Sequence, residues 1–284
     1  MSKILETKLK KSLLSSCIAL AIVGLPAGAA FAQVTSQPAA AVAPAAAPVA
    51  ASRLDAIMAR GTLRVGTTGD YKPFSYLNPE SKQYEGLDIE MAQSLAQALG
   101  VKLELVPTTW ATLMKDFEAD KFDAAMSGVS VTLDRAKKGY FTIPLMREGK
   151  TPIARCTDKG KFETLADIDK PEVRVIVNAG GTNEKFARAN LKKANIEVWK
   201  DNVTIFKQIA DGKADLMMTD SSETLYQQKL NPQLCAVHPD KPFDFAEKAY
   251  WLQRDIAFKE FADQWLHLQM ENGGYNTIFA KWFN

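Results

Sequence analysis

After Arg53 the chain settles into a repeating order: a short β-rich run, a turn, a segment of helical period, then another β-rich run. Leu63-Arg64-Val65-Gly66-Thr67 reads as a first strand and Lys102-Leu103-Glu104-Leu105-Val106 as a second. Between them Met91, Ala92, Leu95 and Leu99 recur at helical spacing, with Asp88 and Glu90 near the start, where the helix dipole favours acids, and Gly100 at the stop. Residues 122–126 read as a third strand entering a turn rich in serine and glycine, and residues 140–145 as an extended segment that ends one lobe. The pattern then restarts, with strands predicted at 173–177, 196–199 and 214–218 and helices near 184–192 and 203–210. Such alternation specifies α/β units with mainly parallel strands, and the restart specifies two of them.

A further extended run at 249–253 precedes a helical stretch, 256–283, with Phe258, Phe261, Trp265 and Leu268 on one face as predicted core. The chain is therefore expected to cross back to the first lobe. The predicted architecture is a hinged, two-lobed α/β fold: lobe 1 from residues 53–149 and 246–284, lobe 2 from residues 150–245, and the ligand cleft between them.

Ahead of this pattern, Lys3, Lys8, Lys10 and Lys11 precede a mostly apolar stretch that ends in Ala30-Phe31-Ala32. This reads as a secretory signal (residues 1–32) cleaved near Ala32. Residues 33–52, rich in alanine, proline and valine, carry no charge and read as a tether. No later segment approaches the ~18 consecutive apolar residues of a membrane span, so an exported protein with no stable membrane association is expected.

The full chain has 35 Lys plus Arg against 33 Asp plus Glu. Losing the leader removes four lysines and one glutamate and leaves 31 against 32. No basic excess remains to hold a nucleic-acid backbone or an anionic membrane. Leader removal also takes Cys17, leaving Cys156 and Cys235 in an oxidising compartment. A disulfide closing the long loop between them is expected, with two unpaired buried cysteines as the alternative.

Four segments carry chemistry. The turn Thr67-Thr68-Gly69-Asp70-Tyr71-Lys72-Pro73-Phe74 leaves the first strand at its carboxyl end, where ligands gather in open α/β sheets. The run from Ser127 through Ser130 and Thr132 to Arg135 places hydroxyls, amides and a guanidinium where a carboxylate can be held in a planar, bidentate manner; a surface Arg135 beside a capping Thr132 is the bland reading. Asn178-Ala179-Gly180-Gly181-Thr182-Asn183-Glu184 offers backbone donors to an anion but lacks a dinucleotide fingerprint and a Walker lysine. Asp220 and Glu223 end an apolar strand three residues apart, so both can face one cleft if a helix begins there; capping by Asp220 with Glu223 solvated is the alternative.

His238 and His267 are the only histidines and lack metal-ligand spacing, so no metal site is expected. No Gly-x-Ser-x-Gly elbow or Ser-His-Asp arrangement is present.

Together, Gly66 through Phe74, Gly86-Leu87-Asp88-Ile89 and the Ser127 to Arg135 run with Tyr140-Phe141-Thr142-Ile143-Pro144 behind it resemble the periplasmic solute-binding fold (type II) of the polar amino-acid class. The resemblance implies that Arg135, helped by Ser127 and Ser130, holds a ligand carboxylate, that Asp220 holds an ammonium, and that Tyr71 stacks on the ligand. Within that superfamily the runs Thr68 through Tyr76, Gly149-Lys150-Thr151-Pro152-Ile153, Gly180 through Lys193, Asp211 through Asp220 and Cys235-Ala236-Val237-His238-Pro239 resemble the cyclohexadienyl dehydratases, an exported enzyme family acting on prephenate and L-arogenate.

That resemblance implies Glu223 as general acid, with Lys150 and Asn178 beside it in the catalytic group and Asp70, Trp110, Arg135 and Thr182 shaping the substrate site. It implies conversion of prephenate to phenylpyruvate and of L-arogenate to L-phenylalanine, with no cofactor; a non-catalytic amino-acid-binding protein of a transporter is the alternative. The family run Asp-Ala-x-Glu is here Asp220-Ser221-Ser222-Glu223, which keeps the spacing and raises the polarity around the acid. Oligomeric state is left open by the sequence.

Overall fold

The computed structural model of the chain describes residues 52–283; the predicted leader, and the tether up to residue 51, lie outside the described residues. Two five-stranded sheets carry the fold. The first has the order Lys102–Pro107, Thr62–Thr67, Ala124–Ala125, Trp251–Leu252, Tyr140–Phe141. The second has the order Asn195–Trp199, Arg174–Asn178, Leu216–Asp220, Lys150–Arg155, Leu234–Ala236. In both, the first three strands are parallel, the fourth runs antiparallel to them and the fifth runs antiparallel to the fourth, so the restart in the sequence is one topology used twice. The chain passes to the second sheet through Met146–Glu148 and returns through Ala246–Lys248; these short strands pair with each other, antiparallel, with Ala246 opposite Glu148.

Alternation along a strand sends neighbouring residues to opposite faces, and here both faces of the second sheet are covered. Val175, Val177, Leu216 and Met218 pack on one side, and Ile153, Ile176 and Met217 on the other against Ile205, Phe206 and Ile209. That two-sided burial is why these strands read as continuous apolar runs. The first sheet buries Leu63 and Val65 against Leu87, Met91 and Leu95 and against Phe258 and Leu266 of the C-terminal helices.

Local chemistry accounts for the departures from prediction. The third strand shrinks from 122–126 to Ala124–Ala125 because the chain turns at once through Gly128, whose φ is +65°. The helix predicted from 203 starts at Ile205, since Asp201 Oδ1 accepts the N–H groups of Val203 and Thr204 at 3.0 and 2.6 Å. The C-terminal stretch is two helices, Ile256–Glu271 and Gly274–Phe283, broken at Gly273 (φ +76°). Its buried face runs through Phe258, Ala262, Trp265 and Leu266; Phe261 is half-buried and Leu268, predicted as core, is 47% exposed because the stripe drifts off the seam.

Cys156 and Cys235 form the expected disulfide, across a sequence separation of 79 residues that corresponds to a chain-entropy contribution of about 4.5 kcal/mol. Among the described residues, no helix is long and apolar enough to cross a membrane.

Candidate active site

The polar residues gather where the parallel strands end. Asp220 closes the strand Leu216–Asp220 and stands at the N-cap of the helix Ser221–Leu230, yet its side chain makes no capping bond. It takes stronger, charge-assisted partners instead. Oδ1 accepts from Lys150 Nζ, its neighbour across the antiparallel ladder, and Oδ2 accepts from Lys248 Nζ at 2.6 Å and from the Tyr71 hydroxyl at 2.6 Å. Burial alone would raise the Asp220 carboxyl, but Lys150 and Lys248 hold it well below the usual carboxylate range. Lys248 also pairs with Glu148 at 2.8 Å, and those carboxylates keep it charged against the opposing effect of burial. Glu148, pushed up by burial, accepts from Ser222 Oγ at 2.5 Å.

Glu223 lies one turn into the same helix and is completely buried. Its Oε1 accepts from Asn202 Nδ2 at 2.6 Å and its Oε2 from Thr219 Oγ1 at 2.5 Å. Burial, reinforced by the Asp220 charge and opposed by those two hydrogen bonds, pushes it up to about 8. Two carboxylates three residues apart therefore hold opposite protonation states at neutral pH, because one has two ammonium partners and the other has none within ion-pairing distance. The solvated Glu223 weighed as an alternative does not occur.

Arg135 is the complementary feature. It lies in the short helix Leu133–Ala136, whose N-cap Thr132 accepts the Arg135 N–H at 3.3 Å, and its Nη1 donates to the Ser130 carbonyl at 2.8 Å. Only 8% of the residue is exposed, and burial lowers the guanidinium to about 10. Among the described residues no carboxylate stands within ion-pairing distance of it. With Asp220 and Glu148 matched to Lys150 and Lys248, Arg135 is a buried cation without a carboxylate partner among the described residues.

Tyr71, Trp110, Gly128, Ser130, Asn178, Thr182, Asn183 and Asp220 line an inner cavity, and Arg135 lines an adjoining one with Trp110 and Thr182. Gly128 cannot carry a side chain here. Its φ is +65°, an added Cβ would meet the Tyr71 ring at 2.5 Å, and its N–H donates to Asp88 Oδ2 at 2.5 Å. Trp110 stands edge-on to Tyr71, with ring centroids 5.5 Å apart, and its Nε1 donates to Asp70 Oδ1 at 3.0 Å. Asp70 is raised by burial. Ser127 does not line the cavity; its hydroxyl meets the Thr68 N–H and hydroxyl at 3.1 and 2.8 Å and holds the turn before Asp70. Thr182 Oγ1 and Asn183 Oδ1 accept from Lys150 Nζ at 2.9 and 2.5 Å, while Asn178 Oδ1 accepts from Asn183 Nδ2 at 2.9 Å.

Two implied roles change in this geometry. Lys150, implied as a member of the catalytic group beside Glu223, donates instead to Asp220, Thr182 and Asn183. Asp220 already receives three donors, so an incoming ammonium meets a carboxylate that is occupied and charge-compensated.

Sequence reasoning missed Glu148, Asn183, Asn202, Thr219 and Lys248. Glu148 lay two residues before Lys150, and Asn183 and Thr219 were direct neighbours of predicted residues, so spacing offered a signal for those three. Lys248 and Asn202 arrive from the returning strand and from the loop before Ile205, and nothing local marks them.

The perturbed acid has a consequence for stability. The folded chain keeps the Glu223 proton up to about pH 8, whereas the unfolded chain releases it near the ordinary 4.5. Between those values the unfolded state loses the proton first, so stability falls as pH rises, by at most about 5 kcal/mol from this residue. Denaturant titrations at several pH values are expected to show a smaller decline across that window in Glu223→Gln than in the parent; equal declines would place the ionisation elsewhere.

Comparison with known proteins fits this geometry. The bacterial extracellular solute-binding proteins, family 3, match residues 63–284. The cyclohexadienyl dehydratase of Pseudomonas aeruginosa is 60% identical over 231 residues, covering 81% of this chain and 86% of that protein. The L-cystine-binding protein TcyJ of Escherichia coli is 28% identical over 233 residues, covering 81% and 85%. Among solved structures, an ancestral amino-acid-binding protein described as a precursor of cyclohexadienyl dehydratase superposes with a TM-score of 0.76 at 38% identity, covering 82% of this chain and all (100%) of that one. The chain belongs to the bacterial extracellular solute-binding proteins, family 3, and its strong likeness within that family is to cyclohexadienyl dehydratase.

Proposed function

We propose that the protein is a cyclohexadienyl dehydratase, a carbon–oxygen lyase converting prephenate to phenylpyruvate and L-arogenate to L-phenylalanine. The observation that carries this reading is Glu223, a carboxylic acid without an ionic partner, fully buried and pushed up to about 8, three residues along the chain from Asp220, which lines the inner cavity. A binder that only holds and releases an amino acid needs a free carboxylate for the ammonium and has no use for a proton donor. Here the carboxylate is occupied and the donor is present. The likeness to the Pseudomonas enzyme supports the same reading.

In the proposed reaction Arg135 takes one substrate carboxylate, and Asn178 and Thr182 face the other end, with Lys150 holding Thr182 and Asn183 in place. The bond between the ring and its carboxylate breaks, releasing carbon dioxide, and its electron pair enters the ring. The bond from C4 to the hydroxyl breaks in turn, and the departing oxygen takes the Glu223 proton to leave as water. The ring becomes aromatic, and Glu223, now ionised, regains its proton from solvent. Keeping the acid protonated until that moment is what its dry surroundings accomplish. Tyr71 and Trp110 offer flat apolar faces to the ring as it becomes planar.

The proposal places the protein in the periplasm after cleavage near Ala32. Closure of the lobes 53–149 with 246–284 and 150–245 would proceed about the paired crossing strands. The test is incubation of the purified mature protein with prephenate and with L-arogenate, following phenylpyruvate and L-phenylalanine. Turnover is expected; absence of turnover together with tight binding of an amino acid would return the chain to the transporter-associated binders.

A further inference from the structure

We propose that Thr219 and Asn183 are positioning residues that fix the direction of the hydrogen-bond chain ending on Glu223, so that Oε2 is always an acceptor and the acid's proton is confined to Oε1. The inference rests on the dehydratase reading for its catalytic meaning, but its geometry stands in the hydrogen bonds themselves.

The chain begins at Lys150. An ammonium group only donates, and Lys150 Nζ donates to Asn183 Oδ1 at 2.5 Å. That contact settles which way the Asn183 amide points. Its Nδ2 must then face Asn178 Oδ1 and Thr219 Oγ1, each at 2.9 Å. Thr219 has a single hydroxyl hydrogen, and with its oxygen receiving from Asn183 that hydrogen goes to Glu223 Oε2. Every link runs the same way, from a group that cannot accept to the acid. On the other oxygen the constraint is looser. Asn202 Nδ2 meets Oε1 at 2.6 Å, while Asn202 Oδ1 is buried without a hydrogen-bond partner. Rotation of that amide offers an acceptor to a proton on Oε1 and a donor to the same oxygen once ionised, so Asn202 accommodates both states where Thr219 permits one.

A carboxylic acid whose proton has a fixed address delivers it along one line; an acid free to carry it on either oxygen spends part of its population misdirected. Thr219→Val keeps the shape and deletes the donor, whereas Thr219→Ser keeps the donor. The valine variant is expected to lower kcat for prephenate by about 10- to 100-fold with KM changed less than about 3-fold, and to move the high-pH loss of kcat/KM upward by about one pH unit. The serine variant is expected to restore both. The charged and titratable groups facing the acid are Asp220 at the head of its own helix, Lys248 from the returning strand and Tyr71 from the first sheet's turn. All three are untouched, so a moved limb reports the hydroxyl.

Should the valine variant fail to fold, Asn183→Ala removes the donor to Thr219 without touching the acid, and an about 5-fold or greater loss of kcat is expected from it. Valine behaving as parent, serine as impaired as valine, or a fully active folded Asn183→Ala would each overturn the inference. If the parent turns over neither substrate, the dehydratase reading falls separately. The pH at which the infrared carbonyl band of protonated Glu223 vanishes then decides the inference alone: higher in Thr219→Val supports it, and an unchanged value overturns it.

Discussion

Replacing Glu223 by glutamine is expected to reduce kcat for prephenate by about 10²- to 10⁴-fold, the range lost when a positioned general acid is removed. Glutamine keeps the shape and can still meet Thr219 and Asn202, the two partners that hold the acid at 2.5 and 2.6 Å. Affinity for the product phenylpyruvate is therefore expected to stay within about 3-fold of the parent, since Glu223 is neutral in the resting site and removal of its proton costs the transition state rather than the ground state. Steady-state kinetics beside calorimetric product binding separates the two effects. Equal turnover by parent and variant would keep a lyase but move its acid elsewhere. Asp220 would be a poor substitute, since two lysines keep it ionised.

The second large effect concerns Arg135. Exchange for methionine deletes the one buried cation of the cluster that has no carboxylate of its own, and kcat/KM is expected to fall by about 10²- to 10³-fold as a desolvated charge pair with the substrate is lost. Stability is expected to move the opposite way from most charged-to-apolar changes in a buried site. Arg135 is 8% exposed and its guanidinium is depressed to about 10 by burial, so removing it relieves a desolvation cost and leaves no partner charge stranded. Thermal unfolding should show the variant as stable as the parent or slightly more so, yet without the parent's upward shift on adding phenylpyruvate. A variant clearly less stable than the parent would mean that Arg135 is a structural ion whose partner forms only in another state of the cleft.

These contrasts indicate what the sequence could reveal. Strand and helix positions followed from apolar spacing because both sheets bury their faces and leave an uninterrupted signal, as in Arg174–Asn178 and Leu216–Asp220. Boundaries slipped where a side chain competed for the backbone, as Asp201 does before Ile205. The cleft's principal residues were legible as runs at strand ends, but their partnerships were not. Nothing in the spacing of Asp220 and Glu223 says that one is clamped by Lys150 and Lys248 while the other is left dry, because Lys248 is 28 residues away from Asp220 along the chain and comes near only through the returning strand. The same is true of Asn202, 21 residues before the acid it touches. Protonation state is a property of the folded contacts, and it turns the implied ammonium site into a compensated one.

If Glu223 donates its proton to the departing hydroxyl, the pH profile of kcat/KM for prephenate carries the signature of its ionisation. Between about pH 5 and pH 10 the profile is expected to stay level at the acid end and to fall tenfold per unit above about 8, as Glu223 gives up its proton in the free enzyme. A profile that stays flat or rises through pH 8 would rule Glu223 out as the proton donor, because a catalyst that works equally well with Glu223 ionised does not use it as the acid.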